Sequence, residues 1–329
     1  MLLQAEAIKS VPGSAHGVQP VIAVDHLHKA YGSTVAVDDI SFTVNPGEIF
    51  GILGRNGAGK TTTVECVTGL RRPDRGTISV LGLDPRRDRR ELHERVGVQL
   101  QQSALQDRIR VAEAVELYAS FYERPADGRE LLATLGLEGS RDHYFAKLSG
   151  GQKQRLSIVL ALIGQPEIAV LDELTTGLDP EARRETWSLI EGIRDRGVTI
   201  VLVTHYMEEA ERLCDRVALI DHGKVTALDH PAALGVRSNT SKRVRLTAPE
   251  GLDDGLLWAL PEVSGVEHHG QDVVVIGSGD LLTAVILAFD RAGLRASDVR
   301  PETANLEDAF LALIDEPTQS TPTQMETKR

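Results

Sequence analysis

The segment Gly54-Arg55-Asn56-Gly57-Ala58-Gly59-Lys60-Thr61-Thr62 limits the possible folds more than any other stretch of the chain. The apolar run Glu48–Leu53 before it reads as a buried strand, and Thr63–Leu70 after it reads as a helix ending near a glycine. Strand, glycine loop and helix in that order make a phosphate cradle. The glycines let backbone N–H groups curl around phosphate oxygens at a helix N-terminus that already favours negative charge. Lys60 would reach the β- and γ-phosphates, and the Thr61 hydroxyl would hold Mg²⁺. The competing reading, a glycine turn with a stray lysine, leaves both flanks unexplained.

Three further strings supply what a triphosphate site needs. Ile168-Ala169-Val170-Leu171-Asp172-Glu173 reads as a buried strand ending in adjacent carboxylates. Asp172 would organise the Mg²⁺ shell and Glu173 would orient and polarise an attacking water. Val198–Val203 reads as another buried strand, ending at Thr204-His205. At that end of a sheet, His205 is placed to hydrogen-bond a γ-phosphate. Leu148-Ser149-Gly150-Gly151-Gln152 precedes an amphipathic helix. Ser149 can cap it, while Gly150 and Gly151 expose backbone N–H groups to a second anion.

Composition narrows the setting. The 329 residues allow two domains, and a net charge of −12 argues against broad nucleic-acid binding or a polybasic hold on lipid. Cys66 and Cys214 have no metal-ligand spacing and fit a reduced compartment. The apolar runs fall short of the roughly 20 residues a membrane span needs. No signal peptide is evident, so a cytoplasmic protein is expected. If it acts on a membrane, another chain must supply the membrane.

Along the chain, residues 1–20 and 316–329 read as disordered tails. Strands are expected at Val21–Asp25 and Ile40–Val44, and a mostly helical segment at about 86–165. Arg216–Ile220 and Lys224–Ala227 read as a hairpin turning at Asp221-His222-Gly223. Beyond about 241 the order strand, helix, strand, strand, helix, strand over 241–315 suggests a small ferredoxin-like α+β domain, with His268-His269 in its central turn.

Taken together, residues 22–235 resemble the nucleotide-binding subunit of an ATP-binding cassette (ABC) transporter. The resemblance implies an α/β fold, a P-loop NTPase of the ABC ATPase type. Its mixed-sheet core carries an antiparallel β subdomain and a helical subdomain, followed here by the small α+β domain. It assigns Tyr31 to stacking on adenine, Gly54 to Thr62 to the Walker A loop, and Gln101 to the Q-loop contact with Mg²⁺ or water, with Gln99 and Gln102 as nearby competitors. Ser149, Gly150, Gly151 and Gln152 match the signature that completes the ATP site of an opposite subunit. Asp172 and Glu173 match Walker B and the catalytic carboxylate, Thr176 to Asp179 the D-loop, and His205 the switch histidine. Leu174 stands where the family usually has proline, which loosens the expected orientation of Glu173.

The resemblance also implies partners. A Walker site and a signature on separate surfaces of one chain call for a head-to-tail dimer around two ATP, with itself or with a paralogue. The stretch Asn305–Leu313 looks like the Leu-Glu-Asp-x-Phe-Leu ending of the daunorubicin-resistance type of exporter ATPase. It points to an ABC-2-type permease on a separate chain, a peripheral position on the cytoplasmic face of the membrane, and export of a drug, antibiotic or lipid-like compound. The alternative is a soluble cassette ATPase acting on ribosomes or in cofactor assembly. Ribosome-acting members typically carry two cassettes and basic linkers, and this chain has one cassette and is acidic.

Overall fold

The computed structural model describes residues 19–100, 105–237, 242–249 and 251–302, together with Leu306 and Phe310. The expected tails, Gln101, Gln102 and most of the last helix therefore lie outside the described residues. The chain divides into two compact units, Met1–Pro231 and Ala232–Arg329.

Among the described residues the first unit contains two sheets. One is a three-stranded antiparallel sheet in which β1 (Ile22–Tyr31) lies between β2 (Thr34–Val44) and β4 (Arg75–Val80). The other has six strands in the order β5 (Val96–Gln99), β6 (Ile168–Asp172), β7 (Thr199–Thr204), β3 (Ile49–Leu53), β8 (Arg216–Asp221) and β9 (Lys224–Asp229). Its strands pair in parallel except for the hairpin of β8 and β9. Every residue of β3, β6 and β7 is buried, which is why these strands read as unbroken apolar runs. The hairpin turns where His222 and Gly223 both have positive φ, as expected from its sequence.

One core joins the two sheets. Phe42 of β2 stacks on Phe50 of β3 with ring centroids 5.2 Å apart, amid Ile22, Val24, Ile40 and Ile52. Burying such rings contributes roughly 2–3 kcal/mol each, so the strands that precede the glycine loop form a wall of its domain. β1 is longer than expected. It continues past Asp25 through a bulge at His26 (φ 49°), where the alternation is lost and Asp39 bonds the His26 ring.

The helices of this unit are α1 (Lys60–Val67), α2 (Arg89–Arg95), α3 (Val111–Ala119), α4 (Gly128–Thr134), α5 (Gly150–Leu162), α6 (Pro180–Arg194) and α7 (Met207–Leu213). Within the segment expected to be helical, α2 and the edge strand β5 come before α3, α4 and α5. Helix α8 (Pro231–Arg237) follows β9.

The second unit contains β10 (Lys242–Thr247), α9 (Asp254–Trp258), β11 (Val263–His269), β12 (Asp272–Gly277), α10 (Leu281–Arg291) and β13 (Ser297–Glu302). Its antiparallel sheet has the order β11, β12, β10, β13, as a ferredoxin-like sandwich requires. Val244, Leu246, Val273 and Val275 face Leu257, Leu281, Val285 and Phe289 in its core. His268 and His269 are not in the turn but end β11, opposite Val273 and Asp272. Cross-strand pairing extends the strand through both polar residues, and His268 Nε2 lies 2.9 Å from Asp254.

Candidate active site

The glycine loop occupies the end of β3. A Cβ on Gly54 would lie 2.2 Å from the Ile220 carbonyl oxygen, and one on Gly59, whose φ is 104°, would lie 2.2 Å from that of Ala36. Both positions therefore require glycine. Gly59 caps α1 without any side-chain hydrogen bond, and the first turn of α1 has no acidic residue. Its leading N–H groups and helix dipole thus present an anion site made of backbone. Arg55, Asn56 and Gly57 form the exposed rim, Ala58 packs inward, and Thr62 is half-buried in the first turn of the helix. Lys60 is only 5 % exposed and donates from Nζ to the carbonyls of Gly54 (2.8 Å) and Arg55 (3.2 Å). Burial lowers the pKa of this ammonium, and the charges of Glu173 and Asp172 oppose that effect.

Strand register brings the acids to the same edge. In the parallel ladder Asp172 pairs with Val203, and Leu53 with Thr204. The residues that follow these three strands therefore converge, as ligand-binding residues do at the carboxyl edge of open α/β sheets. Asp172 is 1 % exposed, and neither of its carboxylate oxygens has a hydrogen-bond partner among the described residues. The Thr61 hydroxyl is near enough to favour the anion but meets neither oxygen at hydrogen-bonding geometry. Burial, then the adjacent Glu173, push this carboxyl up to about 6 against the pull of Lys60. Two orphaned, buried carboxylate oxygens beside a hydroxyl are a hard oxygen donor set that suits a divalent cation.

Glu173 adopts a left-handed backbone (φ 50°), with its N–H donated to the Val203 carbonyl at 2.8 Å. Backbone strain of this kind in a non-glycine residue is concentrated at functional sites. Its Oε1 lies 3.4 Å from His205 Nδ1, with the Glu173 side chain 10 % exposed. Gln99 is not available for the contact expected of a glutamine in this region. It is buried in β5, its Oε1 accepting from the Asp172 N–H (3.1 Å) and its Nε2 donating to the Leu100 carbonyl (2.8 Å).

The remaining expected residues lie on other surfaces. Tyr31 ends β1, half-exposed, with the Arg71 guanidinium 5.2 Å and the Lys29 ammonium 5.7 Å from its ring centre. Ser149 caps α5 reciprocally: its Oγ accepts from the Gln152 N–H, and Gln152 Oε1 accepts from the Ser149 N–H. Gln152 also donates to Ser140 Oγ (3.0 Å). A Cβ on Gly150 or Gly151 would make only ordinary contacts, 3.8 Å to Leu178 and 3.5 Å to Ala182. Packing within this chain therefore does not require either glycine. Asp179 caps α6, its Oδ1 accepting from the N–H groups of Glu181 and Ala182. Among the described residues no hydrogen bond or ion pair joins Ser149–Gln152 to the glycine loop.

One buried acid escaped the sequence reading. Glu209 of α7 is 0 % exposed and accepts from Thr175 and Trp187. The available signal was its position one turn before Leu213 and next to Ala210, on the face that helical spacing turns inward.

Known proteins resemble this chain in sequence and in fold. Residues 37–176 match the ABC transporter family. The Nod factor export ATP-binding protein I of Burkholderia lata is 41 % identical over 309 residues, spanning 89 % of this chain and 97 % of that protein. A solved ATP-binding subunit of an ABC transporter superposes with a TM-score of 0.60 at 29 % identity, covering 65 % of this chain and 91 % of that one. The ATP-binding cassette MJ0796, solved as a dimer in a post-hydrolysis state with ADP and phosphate, superposes with a TM-score of 0.58 at 26 % identity, covering 64 % of this chain and 98 % of that one. The chain belongs to the ABC transporter ATP-binding subunit family, and its chemistry is the hydrolysis of ATP that drives transport.

Proposed function

We propose that this chain is the ATPase subunit of an export system, that two cassettes close head to tail around two ATP, and that a separate ABC-2-type permease carries the compound across the membrane. The observation that carries the catalytic part is the convergence of Lys60, Asp172, Glu173 and His205 at the ends of three adjacent strands. The loop N–H groups and Lys60 bind the phosphates. Glu173 takes up the proton of the attacking water, and His205 beside it holds the γ-phosphate in line. Thr61 and Asp172 fit a Mg²⁺ ion, with Gln101 as the further expected contact, and bound Mg²⁺ would neutralise phosphate charge. Tyr31 offers its exposed ring to the adenine.

The dimer rests on the glycines. Gly150 and Gly151 are not demanded by their own chain, so their lack of a side chain serves the close approach of something outside it. A triphosphate held on the glycine loop of a second cassette suits an exposed helix N-terminus capped by Ser149. Each nucleotide then has its charge satisfied only when both chains contribute, and loss of the γ-phosphate releases them.

Export is favoured by the relatives named for Nod factor export. A permease is favoured because no described helix is long and apolar enough to cross a membrane. A groove of about 710 Å³ beside α2, β5 and the end of α3, where Leu100 and the exposed Phe121 lie among the charged Arg90, Glu94 and Glu123, offers that permease a seat of mixed apolar and charged character. The compound exported is a drug, antibiotic or lipid-like molecule, selected by the membrane chain. Two experiments test the proposal. Glu173→Gln with ATP should give a stable nucleotide-bound dimer that hydrolyses poorly. Gentle purification of the tagged chain from its own cells should recover one polytopic membrane protein. A variant that turns over ATP like the parent would refute the role given to Glu173. Recovery only with ribosomes or an assembly complex would overturn transport.

A further inference from the structure

The proposed mechanism makes no use of Glu209, although burying a carboxyl group is costly. Glu209 lies in α7, which begins two residues after His205. Its Oε1 accepts two hydrogen bonds, from Thr175 Oγ1 at 2.8 Å and from Trp187 Nε1 at 3.1 Å. Its Oε2 is also buried and has no hydrogen-bond partner among the described residues. An apolar side chain would fill this space at lower cost. The acid is therefore explained by what its two donors belong to.

Thr175 lies two residues after Glu173, in the turn where Glu173 takes its left-handed backbone. Between them is Leu174, whose φ is not fixed by a ring as a proline's would be. Trp187 belongs to α6, the helix that Asp179 caps. A single carboxyl thus ties the turn after Glu173 both to α6 and to the helix that follows His205. We infer that Glu209 is a positioning residue for hydrolysis, which holds the Glu173 turn through the Thr175 hydroxyl and takes over the stiffening that proline would give. The inference rests on the role proposed for Glu173. It predicts that the contact affects the chemical step and leaves nucleotide binding alone.

ATPase kinetics on the full chain test it, with Thr175→Val, Glu209→Leu, Glu209→Gln, the Thr175→Val/Glu209→Leu double variant and Glu173→Gln compared in one series. Thr175→Val is nearly isosteric and deletes only the donor, so it carries the test even where Glu209→Leu lowers the yield of folded protein. Thr175→Val and Glu209→Leu should each lower kcat about tenfold while KM stays within about twofold. Glu209→Gln keeps an acceptor oxygen and should retain most of the parental rate. The double variant should be no slower than Glu209→Leu, because both changes break the same tether. Parental kcat in Thr175→Val, losses that multiply in the double variant, or a Glu209→Gln as slow as Glu209→Leu would each overturn the inference. If Glu173→Gln is inactive and Thr175→Val is parental, only this inference fails. If Glu173→Gln hydrolyses normally, the role of Glu173 fails and takes this inference with it.

Discussion

Replacing Asp172 by asparagine should make the metal-free protein more stable while abolishing ATP hydrolysis. An ordinary aspartate titrates near 3.8, whereas burial and the neighbouring Glu173 push Asp172 up to about 6. A carboxyl whose folded pKa is raised favours the fold below its unfolded value and loses that contribution as pH rises through the folded one. At neutral pH the ionised, 1 % exposed side chain therefore destabilises the nucleotide-free fold by roughly 3 kcal/mol, at 1.36 kcal/mol for each tenfold change. Asparagine cannot ionise, and the two oxygens of Asp172 have no hydrogen bonds to lose. Thermal unfolding in EDTA at pH 7.5 should show Asp172→Asn melting about 6–12 °C above the parent. The gap should close as pH falls through 6 and vanish below about pH 4, where the parent is protonated in both states. An asparagine variant that melts at or below the parent at pH 7.5, or a gap that does not change with pH, would refute the argument.

Lys60→Ala should lower ATP affinity or turnover by more than tenfold, on the order of the loss when one charge-stabilising donor is removed; unchanged binding and rate would count against the whole site. Gly150→Ala should leave the melting temperature of the isolated chain unchanged or slightly raised, because its Cβ has room and alanine favours the helix. The same change should prevent ATP-dependent dimerisation, as read by light scattering, and a dimer of parental affinity would remove the argument from the glycines. Tyr31→Ala should weaken ATP binding by about 1–3 kcal/mol, the usual worth of stacking on a base; calorimetry that finds equal affinities for the two proteins would remove Tyr31 from the site.

Much of the site could be read from sequence because its parts are contiguous. The glycine loop, the acids ending β6 and the histidine after β7 each announce themselves within a few residues, and an apolar parallel strand before each fixes where they end. Relations between distant segments were harder to read. Gln99 looked equivalent to its neighbours until the ladder with β6 placed its side chain on the Asp172 N–H. Glu209 belongs to no motif, and only tertiary packing brings it to Thr175 and Trp187. The polar tail of β1 and the two histidines ending β11 are strand residues because neighbouring strands pair with them, a cause that single-segment propensity does not contain.

The close approach of Ile220 and Gly223 to the phosphate loop has a consequence for how the protein is made. The Gly223 N–H donates to the Ala58 carbonyl, its own carbonyl accepts from Asp38, and Gly54 fits only against Ile220. The glycine loop therefore gets one of its walls from the last hairpin of the same unit. On the ribosome, the loop emerges early but cannot take its final shape until β8 and the turn after it have followed. A nascent chain arrested before that turn should not be retained on an immobilised nucleotide, and one arrested after β9 should be. The shortest fragment able to act as an independent nucleotide receptor thus ends with that hairpin, well beyond the motif that first identifies it.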